Sequence, residues 1–239
     1  MKILAVDTAT TGCSVALTDG EHLLAEINLV STQTHSRHLA GMIGEACRLA
    51  ELAVGGMDAY AVVKGPGSFT GLRIGVSTVK GLAEAAGRPI IGISALQTLA
   101  EQAAASTPLV CPLIDARRGE VYFSTYRVID GALAERHFED VLRPDQALHK
   151  IDAPCTFVGN GAVLYRSIIR DNLGESAYFS HSSAHLIRAS TVARLAWKRL
   201  GNGDSDDLTH FVPAYVRKSD AQISRRSRHS RCLTIQRPI

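Results

Sequence analysis

Leu4-Ala-Val-Asp7, a turn through Thr8-Ala-Thr-Thr-Gly12, a strand over Cys13-Ser-Val-Ala-Leu17 and a second turn at Asp19-Gly20 form a pattern that this chain writes twice. The second copy is Pro112-Leu-Ile-Asp115, the turn Ala116-Arg-Arg-Gly119, an alternating strand from Val121 to Val128, and Asp130-Gly131. The two strand-closing aspartates, Asp7 and Asp115, stand 108 residues apart. Short apolar runs joined by Asp-Gly turns carry the signature of β-hairpins. One supersecondary unit used twice predicts two related α/β lobes, residues 1–106 and 107–224.

Working outward, Leu23 to Val30 completes an antiparallel meander of three strands. His35 to Leu52 is predicted helical, with Leu39, Met42, Ile43, Ala46 and Leu49 recurring at spacings of three and four. A strand at Tyr60–Val63 leads through Lys64-Gly-Pro-Gly67 into a helix from Ser68, its N-cap, to Ala86. Gly87-Arg-Pro89 stops that helix before a strand at Ile90–Ile93 and a helix over Ser94–Ala105. The second lobe adds a strand near Thr156–Val158, the turn Gly159-Asn-Gly161 and a helix to about Asn172. A long helix from about Ala184 to Leu200 is placed to cross back to the first lobe, and Phe211–Tyr215 reads as a short terminal strand.

The chain has 239 residues, 46% apolar and 21% charged, enough for a sizeable core. Its net charge of +3 is unevenly placed. Seven of the 26 basic residues and only one acid fall from Arg217 onward, leaving 19 basic against 22 acidic residues in the body. By composition such a body is not itself a nucleic-acid-binding surface. Residues 225–239 read as a basic, disordered tail that could touch RNA through charge. The five cysteines (13, 47, 111, 155, 232) include no CxxC pair, so neither a zinc ribbon nor a disulfide framework is expected. Met1-Lys2 leads into a run too short for a signal peptide, and no apolar run approaches the roughly 18 residues that span a bilayer. A cytoplasmic protein with no membrane partner is the expectation.

Asp7-Thr8-Ala9-Thr10-Thr11 admits two readings. A loop of this kind at a strand end can hold a nucleotide phosphate, with the aspartate organising Mg²⁺. Ala9, where such loops carry glycine, hinders close approach, and the alternative is a structural turn in which Asp7 caps backbone amides. Gly65-Pro-Gly67-Ser68-Phe-Thr70-Gly71-Leu-Arg73 opens a helix and could bind an anion there. It is neither a Walker loop nor a nucleophile elbow, and close packing of the helix is the other reading. His35 and His38 lack a third ligand, so no metal is expected. Asp115 with Arg117, Arg118 and Glu120 is a second-lobe phosphate site or a salt-bridged turn.

Ile3-Leu-Ala-Val-Asp-Thr-Ala-Thr10, Gly65-Pro-Gly-Ser-Phe-Thr-Gly-Leu-Arg-Ile-Gly75, Ile114-Asp-Ala-Arg-Arg-Gly-Glu-Val-Tyr122 and Pro213-Ala-Tyr-Val-Arg217 together resemble the TsaB (YeaZ) family, from residue 1 to about 219. The resemblance implies a two-lobed actin/Hsp70-like (ASKHA) fold, each lobe a ribonuclease H-like mixed sheet with flanking helices. It implies a non-catalytic subunit that pairs with a TsaD-like catalytic subunit and a TsaE-like ATPase. Together they place a threonylcarbamoyl group on adenosine 37 of tRNAs reading codons that begin with A, so that tRNA is met through the complex. No cofactor of the chain's own is implied, with ATP or ADP at the junction with TsaD. The catalytic relative holds its metal with two histidines four apart; here His35 and His38 are three apart. The helices from His35 to Leu52 and Thr70 to Ala86 are implied to pair with their TsaD equivalents, or with a second copy when the partner is absent. Leu39, Met42, Ile43, Ala46, Gly71, Leu72, Gly75, Val76 and Val79 are the candidate interface residues. The competing reading is a stand-alone actin/Hsp70-type ATPase or kinase with a live site at Asp7. A glycoprotease-like peptidase lacks zinc ligands and a serine elbow in this sequence.

Overall fold

The computed structural model of the chain describes residues 1–31, 33–103, 107–136 and 139–216. β1 (Lys2–Asp7), β2 (Gly12–Asp19) and β3 (His22–Val30) form the antiparallel meander, turned at Asp19-Gly20 with Gly20 at φ 58°. β4 (Ala59–Gly65) runs parallel to β1, and β5 (Ile90–Ser94) parallel to β4, giving the order β3-β2-β1-β4-β5. Alternate residues of β1 serve two cores. Leu4 and Val6 pack with α1 (Leu39–Leu49) and α2 (Phe69–Ala86), whereas Ile3 and Ala5 pack with α3 (Ala95–Gln102) and α7 (Ala189–Gly201). A strand covered on both faces reads as a continuous apolar run, as this one does. Ala5, Ala16 and Ala61 meet Ala193 and Ala196 in one core, so α7 lies close on the sheet.

The second sheet repeats the first. β6 (Leu109–Asp115) pairs antiparallel with β7 (Val121–Phe123) and parallel with β11 (Cys155–Val158), in the order β10-β7-β6-β11-β12. β10 is Asp140–Leu142 and β12 is Ala177–Phe179. In each sheet the Asp-ended strand is third, flanked by its hairpin partner on one side and two parallel strands on the other. β8 (Tyr126–Ile129) and β9 (Ala132–Arg136) form an extra hairpin beside β6, turned by Asp130-Gly131, both at positive φ. Short helices α4 (Pro144–Leu148), α5 (Asn160–Leu164) and α6 (Arg166–Leu173) complete this half.

Several expected elements differ. Residues 121–128 are two strands, because β7 pairs with the far end of β6 and β8 with Leu109 and Val110, leaving Ser124 and Thr125 between them. The first helix starts at Leu39, after a 3-10 turn at His35–Arg37, and ends at Leu49, with Glu51 at φ 55°. The helix expected to reach Asn172 is broken at Tyr165 into α5 and α6. Residues 184–188 are not part of α7: Ser182–His185 is a 3-10 turn, and the helix begins where the first sheet supplies its cap. There Ala189 N–H donates to Ser14 Oγ (2.8 Å), and Ser190 N–H and Oγ to Glu26 Oε1 (3.0 and 2.7 Å). Residues 211–215 form no strand; Pro213 lacks an N–H, and the segment gives β4 one bond, Ala214 N–H to Lys64 O (2.7 Å). The predicted end of the third helix at Ala105 and the basic tail at 225–239 lie outside the described residues.

Candidate functional site

The hairpin turns after β1 and β6 face each other across a cleft of about 1010 Å³. Each turn is built the same way. Asp7 Oδ1 accepts Ala9 N–H (2.9 Å), and Asp115 Oδ1 accepts Arg117 N–H (2.9 Å). An aspartate bonding an amide two residues on fixes a turn locally. The second turn runs through Arg117, Arg118 and Gly119, all at positive φ (62°, 57° and 75°). It leaves the Arg117 side chain 79% exposed, 3.6 Å from Asp115 Oδ2.

The glycines at the start of α2 admit protein backbone. Ser68 N–H donates to Ala9 O (2.7 Å), and Thr8 Oγ1 donates to Gly71 O (2.7 Å). A Cβ on Gly67 would overlap Ala9 O, one on Gly71 would overlap Thr8 O, and one on Gly75 would overlap the Thr8 hydroxyl. The β1–β2 turn therefore sits directly on the helix. Gly65, at φ 134°, is closed off in the same way by Ala214 O. Ser68 caps α2 through Gly71 N–H (3.3 Å), as its position predicts.

Asp7 does not reach the cleft. It is fully buried, as is Thr8, and neither lines the opening. Burial pushes its carboxyl up to about 7, against hydrogen bonds from Ala9 and Thr8 that pull it down, and Oδ2 is buried with no partner. Burial also pushes the Cys13 thiol up to about 12, with the Asp7 charge adding to the effect. A metal-bound phosphate held through Asp7 needs that oxygen open to the cleft, and Ala9 seals it, so these residues do not fit such a group. Thr10, Thr11, Gly67, Ser68, Thr70 and Gly71 do line the cleft, while Gly65 is buried beneath. The His35 ring faces the turn, its Nε2 2.8 Å from Thr10 O, and His38 Nε2 is buried without a partner. No three His, Cys, Asp or Glu side chains converge among the described residues.

The candidate interface residues are misplaced. Leu39, Met42, Ile43, Ala46, Leu72, Val76 and Val79 are at most 8% exposed, and Gly71 and Gly75 are buried under the β1–β2 turn. The apolar periodicity that picked them out is the face each helix turns to its own sheet. Outward from α1 point Ala40, Gly41, Gly44, Glu45, Arg48 and Leu49, and from α2 Ser77, Gly81 and Glu84. Sequence reading also passed over the cleft's cationic and aromatic rim. Arg73 lies over the Phe69 ring (4.0 Å to its centroid) and donates to Tyr215 Oη (3.1 Å), while Phe69 and Tyr215 stack at 5.1 Å. Phe69 and Tyr215 lie 146 residues apart in sequence, and no spacing rule joins them.

Two Asp-ended hairpins, each on a sheet of the same strand order, meeting across a cleft define a two-lobed α/β protein of the actin-like (ASKHA) type. The profile of the family TsaD, tRNA N6-adenosine threonylcarbamoyltransferase, matches residues 23–225. The tRNA threonylcarbamoyladenosine biosynthesis protein TsaB of Bacillus subtilis is 31% identical, over 93% of this chain and 96% of its own length. That of Escherichia coli is 30% identical over 92% and 96%. YeaZ from Pseudomonas aeruginosa superposes with a TM-score of 0.75 at 30% identity, covering 90% of this chain and 99% of its own. Component A of the (R)-2-hydroxyglutaryl-CoA dehydratase of Acidaminococcus fermentans, at 12% identity and a TM-score of 0.51, shares the fold alone. This chain belongs to the TsaB (YeaZ) family and takes part in tRNA threonylcarbamoyladenosine biosynthesis.

Proposed function

We propose that the chain is a non-catalytic partner subunit. It pairs with a TsaD-type transferase and a TsaE-type ATPase for transfer of the threonylcarbamoyl group to adenosine 37 of tRNA in the cytoplasm. The carrying observation is Asp7: the carboxylate that would organise a phosphate-bound metal is sealed under Ala9 with one oxygen orphaned. The residues that remain at the cleft do not assemble an acid, a base and a metal seat. Any ATP or ADP would then be held at the junction with the TsaD-type partner.

Pairing uses the outward face of α1 and α2. Gly41, Gly44 and Gly81 have no atom within 4 Å of where a Cβ would stand, so a partner helix can approach closely, and Leu49, 56% exposed, supplies apolar area. The same face serves a second copy of the chain when the partner is absent. The test is affinity capture of a TsaD-type protein, followed by tRNA modification assayed with and without this chain. Isolated chain that turns over a nucleotide at a rate abolished by Asp7→Ala would defeat the proposal and restore the ATPase reading.

A further inference from the structure

We propose that the cleft mouth binds a single-stranded segment of the RNA substrate, with one base stacked on the Phe69–Tyr215 pair and phosphates met by Arg73, Arg117 and Arg118. The inference rests on the family's place in tRNA modification and not on the α1–α2 pairing face. Three observations carry it. First, the cleft concentrates cations that the body as a whole does not have. Arg73 enters from α2, Arg117 and Arg118 enter from the β6–β7 turn, and Asp115 is the one carboxylate lining it. Second, its rim carries two aromatic rings left about 40% exposed (39% for Phe69, 41% for Tyr215). The Arg73 guanidinium and the Tyr215 hydroxyl hold them as one unit. Large apolar rings kept at an opening beside arginines are a stacking platform, and bases of any sequence present a π-face to it.

Third, size and charge chemistry favour a strand over a free nucleotide. Small-ligand pockets run about 300–1,000 Å³, and this cleft, at about 1010 Å³, lies at the top of that range. A nucleoside triphosphate brings Mg²⁺ and needs carboxylates facing the cleft, whereas Asp7 is sealed away. A phosphodiester strand carries one charge per nucleotide and needs only separate cations with a stacking surface between them. Single-stranded loops and ends are also the parts of an RNA whose bases can leave their own stack.

The test is fluorescence anisotropy of the full chain with a labelled RNA hairpin bearing a single-stranded loop, beside a fully paired RNA duplex of equal length. Tyr215→Ala should weaken hairpin binding at least about fivefold and leave duplex binding unchanged. The Arg117→Gln/Arg118→Gln double variant should make the dependence of log K on log salt shallower by about 1. Tyr215→Trp should keep hairpin affinity, and the new indole should be quenched on binding; this result decides if Tyr215→Ala melts prematurely. Equal losses for hairpin and duplex would assign the binding to unspecific charge, including the basic tail, and overturn the inference. So would Tyr215-dependent displacement of the hairpin by millimolar AMP or ADP, which gives the platform to a free nucleotide. Capture of the TsaD-type partner should survive Tyr215→Ala; its loss would hand these rings to the protein interface and overturn the inference, while lost RNA binding with intact capture supports it.

Discussion

Replacing Asp7 by Asn should stabilise the protein, increasingly so as pH rises. In the unfolded chain this carboxyl titrates near the ordinary value of about 3.9, and in the fold burial holds it at about 7. Between those values the folded state carries the proton that the unfolded state has released, so raising the pH favours unfolding. The penalty is about 1.5 kcal/mol near pH 5 and reaches about 4 kcal/mol near pH 8, where it levels off. Asn keeps an oxygen for Ala9 N–H and carries no charge, and its amide nitrogen is no worse placed than the orphaned Oδ2. Denaturant unfolding of both proteins near pH 5 and pH 8 measures the effect. The parent should lose about 2.5 kcal/mol between the two and the variant almost none of it. In the reconstituted complex Asp7→Asn should leave tRNA modification intact. A parent stability flat over this range would refute the buried, protonated carboxyl. Activity that collapses while the variant stays folded would refute the non-catalytic assignment.

The other expectations concern packing and pairing. Gly71→Ala drives a Cβ into Thr8 O and should destabilise by about 3 kcal/mol or more, whereas Gly81→Ala, on an open helix face, should stabilise by up to about 1 kcal/mol; melting curves distinguish them. Leu49→Glu should leave the melting temperature within a few degrees and abolish partner capture, while Met42→Asp should unfold the protein outright, since Met42 is 8% exposed and packed on the sheet. Glu26→Gln weakens the clamp on Arg188 and Ser190 and should destabilise by about 1–3 kcal/mol. Burial raises the Glu26 carboxyl, but bonds from Arg188 and Ser190 outweigh it and hold it below the ordinary glutamate range. The clamp is therefore complete above that range and lost as acid titrates the folded group. The gap between parent and Glu26→Gln should close in acid, as pH-resolved unfolding would show.

By itself the amino-acid sequence determined the repeated unit, the three-stranded meander, the helix capped by Ser68 and the family, because each rests on neighbours in the chain: turn residues, periodicity, a cap. Local pattern also located the apolar stripes of α1 and α2, but not what they face. Leu39, Met42 and Val76 look alike as a docking stripe or as a core stripe, and only the sheet beneath them decides. The start of α7 was hidden for the same reason, since its caps, Ser14 and Glu26, come from strands more than 160 residues earlier. Whether Gly67 and Gly71 greet a phosphate or a protein carbonyl, and whether Asp7 opens to a cleft or is sealed beneath it, depends on a turn folding back onto a helix some 60 residues away. The union of Phe69, Arg73 and Tyr215 into one rim was likewise a matter of tertiary structure alone. Long-range contacts of this kind leave no periodic trace in a sequence, because the partners share neither an element nor a spacing.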